Sequence, residues 1–168
     1  HHEPNGEIPP AYAILNPKQK DCQYPYKFLC GSGVIFKLIQ AILINPDAKG
    51  LRQHITAGWE KWLLDMVGLA TLSDMVPLTG ENRVFAFYGL KVLRKSPRLG
   101  LMKLLRQARA NQRFLTEDDV SFTITPRINA ASRMGLPHDA FELLSTRDET
   151  RAGVLIEHLN KINDERKG

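Results

Sequence analysis

The residues most able to do chemistry in this chain fall in three places. Two imidazoles, His1 and His2, stand side by side at the start, and one carboxylate, Asp74, precedes the run Met75-Val76-Pro77-Leu78. Arg127, Asn129 and Arg133 crowd the segment Pro126-Arg127-Ile128-Asn129-Ala130-Ala131-Ser132-Arg133. Imidazole and carboxylate groups ligate divalent cations, and a guanidinium donates bidentately to phosphate. Taken singly, each has a plainer reading. A histidine pair is a tag remnant, the aspartate is a helix C-terminal or turn residue, and an arginine pairs with a nearby acid to hold its segment down. Cys22 and Cys30 make no zinc spacing with the histidines and read as core or near-surface thiols. His54, His138 and His158 read as solvated or locally bonded.

Charge adds a second signal. The net charge is +5, but the excess is local. Lys91, Arg94, Lys95, Arg98, Lys103, Arg106, Arg109 and Arg113 follow one another with no acid between them, and outside that stretch acids outnumber bases. A local cationic stripe is the footprint of a polyanion partner, and the bland alternative is a solvated helix face. Leu99 to Ala110 is amphipathic, with Leu101, Leu104, Leu105 and Ala108 on one face and Lys103, Arg106 and Arg109 on the other.

The elements that must position these groups are mostly helical. Ala11 to Leu15 reads as a buried strand entering an Asn16-Pro17 turn. Cys30-Gly31-Ser32-Gly33 reads as a turn into a helix, VIFKLIQAILI, apolar nearly all round. A second long helix is expected from Leu51 to Leu72, with Trp59 and Trp62 in the core, stopped by Pro77. Thr79-Gly80-Glu81-Asn82 starts another, with Val84, Tyr88 and Val92, or Phe87 and Leu90, facing inward. Thr116 is an expected N-cap, Val120 to Thr125 a short extended piece, and Pro126 the opening of a helix. Asp139 to Leu144 is a short helix. The last helix begins at Asp148 or Thr150, with Val154, Leu155, Leu159 and Ile162 inward. No apolar run approaches membrane-spanning length, no signal-peptide pattern is present, and two cysteines imply no disulfide framework. A cytoplasmic protein is expected.

Three segments, in order, resemble the RecJ-type single-stranded-DNA exonucleases of the DHH phosphoesterase superfamily. The first is His1-His2, then Ala13-Ile14-Leu15-Asn16-Pro17 and Leu29-Cys30-Gly31-Ser32-Gly33 through Leu38. The second is Leu69 to Leu78 around Asp74, followed by Glu81-Asn82-Arg83, and the third is the Pro126–Arg133 segment. Ser132 departs from the family's usual glycine, and Thr125 stands where glycine often precedes the proline. The similarity covers nearly the whole chain.

The resemblance implies an α/β fold: the C-terminal part of a DHH catalytic domain over residues 1–146, predominantly helical, with 147–168 starting a long connecting helix. It implies Mn²⁺ or Mg²⁺ at a two-metal site, with His1 and Asp74 as ligands and His2 contacting the scissile phosphate as catalytic group. Arg127, Asn129 and Arg133 are placed beside the nucleic-acid path, Arg127 and Asn129 in the first turn of a helix whose N–H groups favour an anion. Lys103, Arg106 and Arg109 complete the candidate nucleic-acid contacts. The implied activity is 5′-to-3′ hydrolysis of single-stranded DNA in repair and recombination by a monomer, with a single-stranded-DNA-binding protein as candidate partner. The chain opens on histidine and ends inside a helical pattern, so it is expected to be an internal fragment, inactive alone because upstream aspartates are missing. Two alternatives stand beside this reading: a DHH phosphodiesterase of short oligonucleotides or cyclic dinucleotides, and a non-enzymatic helical nucleic-acid-binding module.

Overall fold

A computed structural model describes residues 2–4, 6 and 9–165. The chain divides into two compact units, residues 1–92 and 93–168. Among the described residues every regular element is helical.

The first unit is built on three helices: α1 (Gly31–Ile44), α3 (Leu64–Ser73) and α4 (Gly80–Leu93), whose last residue begins the second unit. A single short turn of helix, α2 (Lys49–Arg52), and a tight turn over Trp59–Leu63 link α1 to α3. Leu29, Val34, Phe36, Val67 and Phe85 form the core, with Phe36 and Phe85 edge to face at 5.5 Å. Helices α3 and α4 cross at glycines. A Cβ on Gly68 would stand 2.6 Å from the Gly89 Cα, so only two glycines allow the backbones to touch.

Several expectations are corrected here. Ala11 to Leu15 is irregular and mostly exposed, because no strand among the described residues offers it a ladder of hydrogen bonds. Helix α1 is not buried all round, since Ile35, Leu38, Ile42 and Ile44 are exposed. Gly31 and Gly33 lie inside the first turn of α1, where a Cβ on Gly33 would press on Leu29 and the Phe85 ring. The Leu51–Leu72 helix is interrupted at Gly58, whose φ is +83°, and the Trp59–Leu63 turn leaves both tryptophans about half exposed. On α4 the buried face is Phe85, Ala86, Gly89 and Leu93. Val84, Phe87 and Tyr88 point outward because the close crossing at Gly89 selects the face with the smallest side chain.

The second unit contains α5 (Leu99–Gln107), α6 (Thr125–Arg133), α7 (Pro137–Ser145) and α8 (Glu149–Glu165). Helix α8 packs on α5, α6 and α7. The amphipathic pattern of α5 holds: Leu101, Leu104 and Leu105 are buried with Leu115, Leu143 and Leu159. On α8 the inward residues are Ala152, Leu155, Ile156, Leu159 and Ile162, while Val154 lies outside. Gly100 fits α5 against α7 so closely that any Cβ there would overlap the Leu143 carbonyl. The Asp148 carboxylate caps α8, accepting from the N–H groups of Thr150 and Arg151 at 2.8 and 3.0 Å.

The stretch before α6 is not extended. Asp119–Ile124 forms a wide π turn that runs directly into α6. Pro126 lacks an N–H and its ring would strike the carbonyl four residues back in a regular helix; one widened turn removes that clash. The buried Thr125 hydroxyl donates to the Val120 carbonyl at 2.7 Å. The helical run therefore starts near Glu117. Its N-cap is Thr116, which exchanges hydrogen bonds with Asp119 through both its hydroxyl and its N–H.

A candidate metal and phosphate site

The chain's start is tied to the middle of the first unit. The Asn16 amide donates to the His2 carbonyl at 2.9 Å, and Asn16 Oδ1 in turn accepts from the Lys18 N–H at 3.1 Å. The Asn16-Pro17 turn thus serves as an anchor for the histidine rather than as the end of a strand. His2 and Asp74, 72 positions apart in sequence, line one cleft of about 400 Å³ with Lys18, Phe28, Leu29, Val76 and Pro77. Removal from water pushes the Asp74 carboxyl above the usual aspartate range, and the nearby His2 imidazole pulls it partly back. A desolvated carboxylate beside an imidazole is a pair suited to a divalent cation. His1 lies outside the described residues, and among the described residues no group of three His, Cys, Asp or Glu side chains converges. The described part of the cleft therefore supplies two donors of the right chemistry and not a closed coordination shell.

Asp74 owes its position to how α3 ends. It is the C-cap, and the next residue, Met75, takes a left-handed φ of 51°. Its N–H returns to the Leu72 carbonyl at 3.3 Å. Glycine usually fills this position. A methionine there stores about 1 kcal/mol. The surroundings hold it: the Tyr26 hydroxyl donates to the Thr79 carbonyl at 2.7 Å and reaches the Pro77 carbonyl at 3.2 Å.

Two features of the first unit escape a reading from sequence. One is Asn82, fully buried, whose amide donates to the carbonyls of both Phe28 (2.7 Å) and Pro77 (3.0 Å). The other is Glu81, which receives the Tyr24 hydroxyl at 2.6 Å and pairs with Lys37. Burial and the Glu81 carboxylate push the Tyr24 phenol well above its ordinary range, so it remains a donor at any physiological pH. Both residues sit in the quoted Glu81-Asn82-Arg83 run, but nothing in spacing reveals carbonyl partners tens of residues away.

In the second unit the candidates separate into committed and uncommitted groups. Arg127 is engaged within the fold, donating to the Thr123 carbonyl at 2.6 Å and to Asn160 at 3.3 Å. Arg127 is the third residue of α6 and Asn129 the fifth, but the π turn runs straight into that helix, so the open N–H end of the helical run lies at Thr116, where Asp119 already sits. Asn129 and Arg133 are exposed. Within the basic stretch, Arg94 donates twice to the Leu115 carbonyl and Lys103 pairs with Glu149 at 3.4 Å. Lys91, at the end of the first unit, lies 4.1 Å from the Phe87 ring centroid. Arg106 and Arg109 are exposed. Arg109 occupies the left-handed residue of a helix-ending motif: its N–H bonds to the Arg106 carbonyl and the Ala110 N–H to Leu105. The same motif after α6 uses Gly135.

No protein-family model matches the chain. It is 38% identical over 168 residues to the single-stranded-DNA-specific exonuclease RecJ of Bacillus subtilis, covering 99% of this chain and 20% of that protein. It is likewise 38% identical to RecJ of Haemophilus influenzae, and 35% identical to RecJ of Escherichia coli, covering 99% of this chain and 29% and 30% of those proteins. Among solved structures, RecJ of Thermus thermophilus in complex with Mn²⁺ superposes with a TM-score of 0.77 at 30% identity, over 99% of this chain and 24% of that one. A structure of exonuclease RecJ bound to manganese gives 0.75 at 30% identity, over 99% and 40%. The likeness in sequence and fold therefore runs to one class, the single-stranded-DNA-specific exonucleases. Within that class the chain is similar to RecJ over nearly its whole length. It spans between a fifth and about a third of the length of the curated relatives it matches. No helix among the described residues is long and apolar enough to cross a membrane.

Proposed function

We propose that the whole protein carrying this sequence is a metal-dependent 5′-to-3′ exonuclease acting on single-stranded DNA in repair and recombination. The observation that carries this reading is the convergence of His2 and Asp74 on one cleft in a chain that resembles RecJ along its length. In this reading residues 1–146 are the latter part of an α/β catalytic domain, and 147–168 lead toward a further domain. His1 and Asp74 would hold Mn²⁺ or Mg²⁺, the ions named for the related Thermus structures. When bound, such ions lower the pKa of a water and neutralise phosphate charge. His2 contacts the scissile phosphate and is placed to hold or give a proton, and Lys18 adds positive charge at the cleft, although Glu3 pairs with it at 3.1 Å.

The nucleic-acid path uses Arg106, Arg109, Lys103, Arg133 and Asn129, with Arg127 holding the segment that carries the last two. Arg109 is the most telling of these. It keeps a long cationic side chain at a backbone position where glycine costs least, which supports a use for that side chain. Supporting proteins such as a single-stranded-DNA-binding protein, the monomeric state and a cytoplasmic location belong to the same proposal. By itself the 168-residue chain should neither digest DNA nor bind Mn²⁺ tightly.

The test is digestion of a 5′-labelled single-stranded oligonucleotide by the whole protein with Mn²⁺, against its Asp74→Asn variant. A loss of rate of about a hundredfold or more in the variant supports the site. An Asp74→Asn protein as active as the parent removes it.

A further inference from the structure

We propose that Asn82 is a positioning residue for the His2–Asp74 cleft, a role that rests on the site reading above. Phe28-Leu29 and Val76-Pro77 both line that cleft. They come from segments about fifty residues apart, and the Asn82 side chain bonds to both. The two N–H bonds of the Asn82 amide go one to each wall, to the Phe28 carbonyl at 2.7 Å and the Pro77 carbonyl at 3.0 Å. The residue is fully buried, in the first turn of α4, and its own Oδ1 has no hydrogen-bond partner.

That combination narrows the residue type. Only a primary amide offers two N–H donors on one uncharged nitrogen. Aspartate has the shape and no donor, serine and threonine have a single donor, and glutamine is one methylene too long for a site with no exposed surface. Both donors are used, one on each of two segments that line the cleft.

Tyr26 braces the same turn from outside, through the Pro77 and Thr79 carbonyls. The Pro77 carbonyl lies three residues beyond Asp74, with the left-handed Met75 between. A turn released from Asn82 is free to relax that backbone and carry the Asp74 carboxylate with it. Groups that orient metal ligands from behind alter metal affinity by roughly 10- to 100-fold when removed.

The experiment uses the whole protein and two readouts: Mn²⁺ affinity, from the free-ion electron paramagnetic resonance signal, and kcat and KM on a single-stranded oligonucleotide. Asn82→Ala and Asn82→Asp are compared with Leu143→Ala, a core truncation in the second unit chosen to match their loss of Tm. The expected result is Mn²⁺ affinity and kcat each about tenfold weaker in both Asn82 variants, KM changed less than about threefold, and Leu143→Ala unchanged on both readouts. Asn82 variants that follow Leu143→Ala, losing Tm alone, overturn the proposal. Should neither Asn82 variant fold, Tyr26→Phe removes a donor from the same turn without emptying the core. A loss of Mn²⁺ affinity of about threefold or more there supports the proposal, and none overturns it. Asp74→Asn separates the two levels of failure. If it abolishes Mn²⁺ binding while the Asn82 variants do not, only the positioning role falls. If it too leaves Mn²⁺ binding intact, the site reading falls with it.

Discussion

The two units hide different things. In the second, the side chains sealed completely from water are mainly aliphatic: Leu93, Leu101, Leu104, Leu115, Val120, Ile124, Leu143 and Leu159 among them. In the first, the largest fully sealed side chains are Asn82 and Thr71, both polar, while Ile35, Ile44, Trp59 and Trp62 face outward. Aliphatic packing drives folding and tolerates little loss of volume. Buried amides and hydroxyls add little net stability but impose one geometry. The second unit seals one amide, Asn163, among its aliphatics, and the first seals Asn82 and Thr71 beside a core that includes Phe36 and Phe85.

The sharpest way to break this contrast is Gly100→Ala. With the Leu143 carbonyl where the new methyl must go, α5 and α7 have to separate. A loss of about 3 kcal/mol or more is expected in chemical denaturation. A variant as stable as the parent would show that the second unit is looser than described. Next in size, Leu115→Ala should lose about 2–5 kcal/mol, while Trp59→Ala in the first unit changes stability by under about 1 kcal/mol. Equal losses would erase the distinction between the two interiors.

A smaller effect separates stability from use. Arg109→Gly should relieve about 1 kcal/mol of left-handed strain and raise Tm slightly. It should also lower the slope of log affinity for single-stranded DNA against log salt by about 1. A raised Tm with an unchanged slope would leave the arginine unexplained. The smallest effect concerns acid. Arg151 holds the Glu142 carboxyl below its usual range through a two-pronged contact, so the pair's contribution is present above the unfolded glutamate pKa and fades as pH falls through the lowered value. Glu142→Gln should therefore lower Tm slightly near pH ~7 and not near pH ~3, and a loss in acid as large as that at neutrality would contradict the assignment.

Much of the helical framework is legible in the sequence. Helices α1, α5 and α8 follow from apolar periodicity, and Thr116 and Asp148 from capping chemistry. The failures share a cause. Periodicity misplaces the face of α4 because it weighs large side chains, whereas the crossing at Gly68 and Gly89 turns inward the face that carries the glycine, with Phe85, Ala86 and Leu93. Trp59 and Trp62 look like core on helical spacing, but the helix ends at Arg52 and Gly58 opens a separate tight turn that carries them. The π turn is invisible because Pro126 is equally suited to a helix start. The His2–Asp74 pairing comes from family resemblance. No pattern links two residues that far apart, and the amide that joins the cleft walls leaves no trace in composition.

The glycine crossing of α3 and α4 has a mechanical consequence. Asp74 stands six residues beyond Gly68, roughly 9 Å along the helix at about 1.5 Å per residue, and Asn82 stands seven residues before Gly89. The two backbones meet at a fulcrum, with Asp74 of the cleft on one arm and Asn82, bonded to the cleft-lining Phe28 and Pro77, on the other. Adding a single methyl at the fulcrum would swing both arms without touching any group that does chemistry.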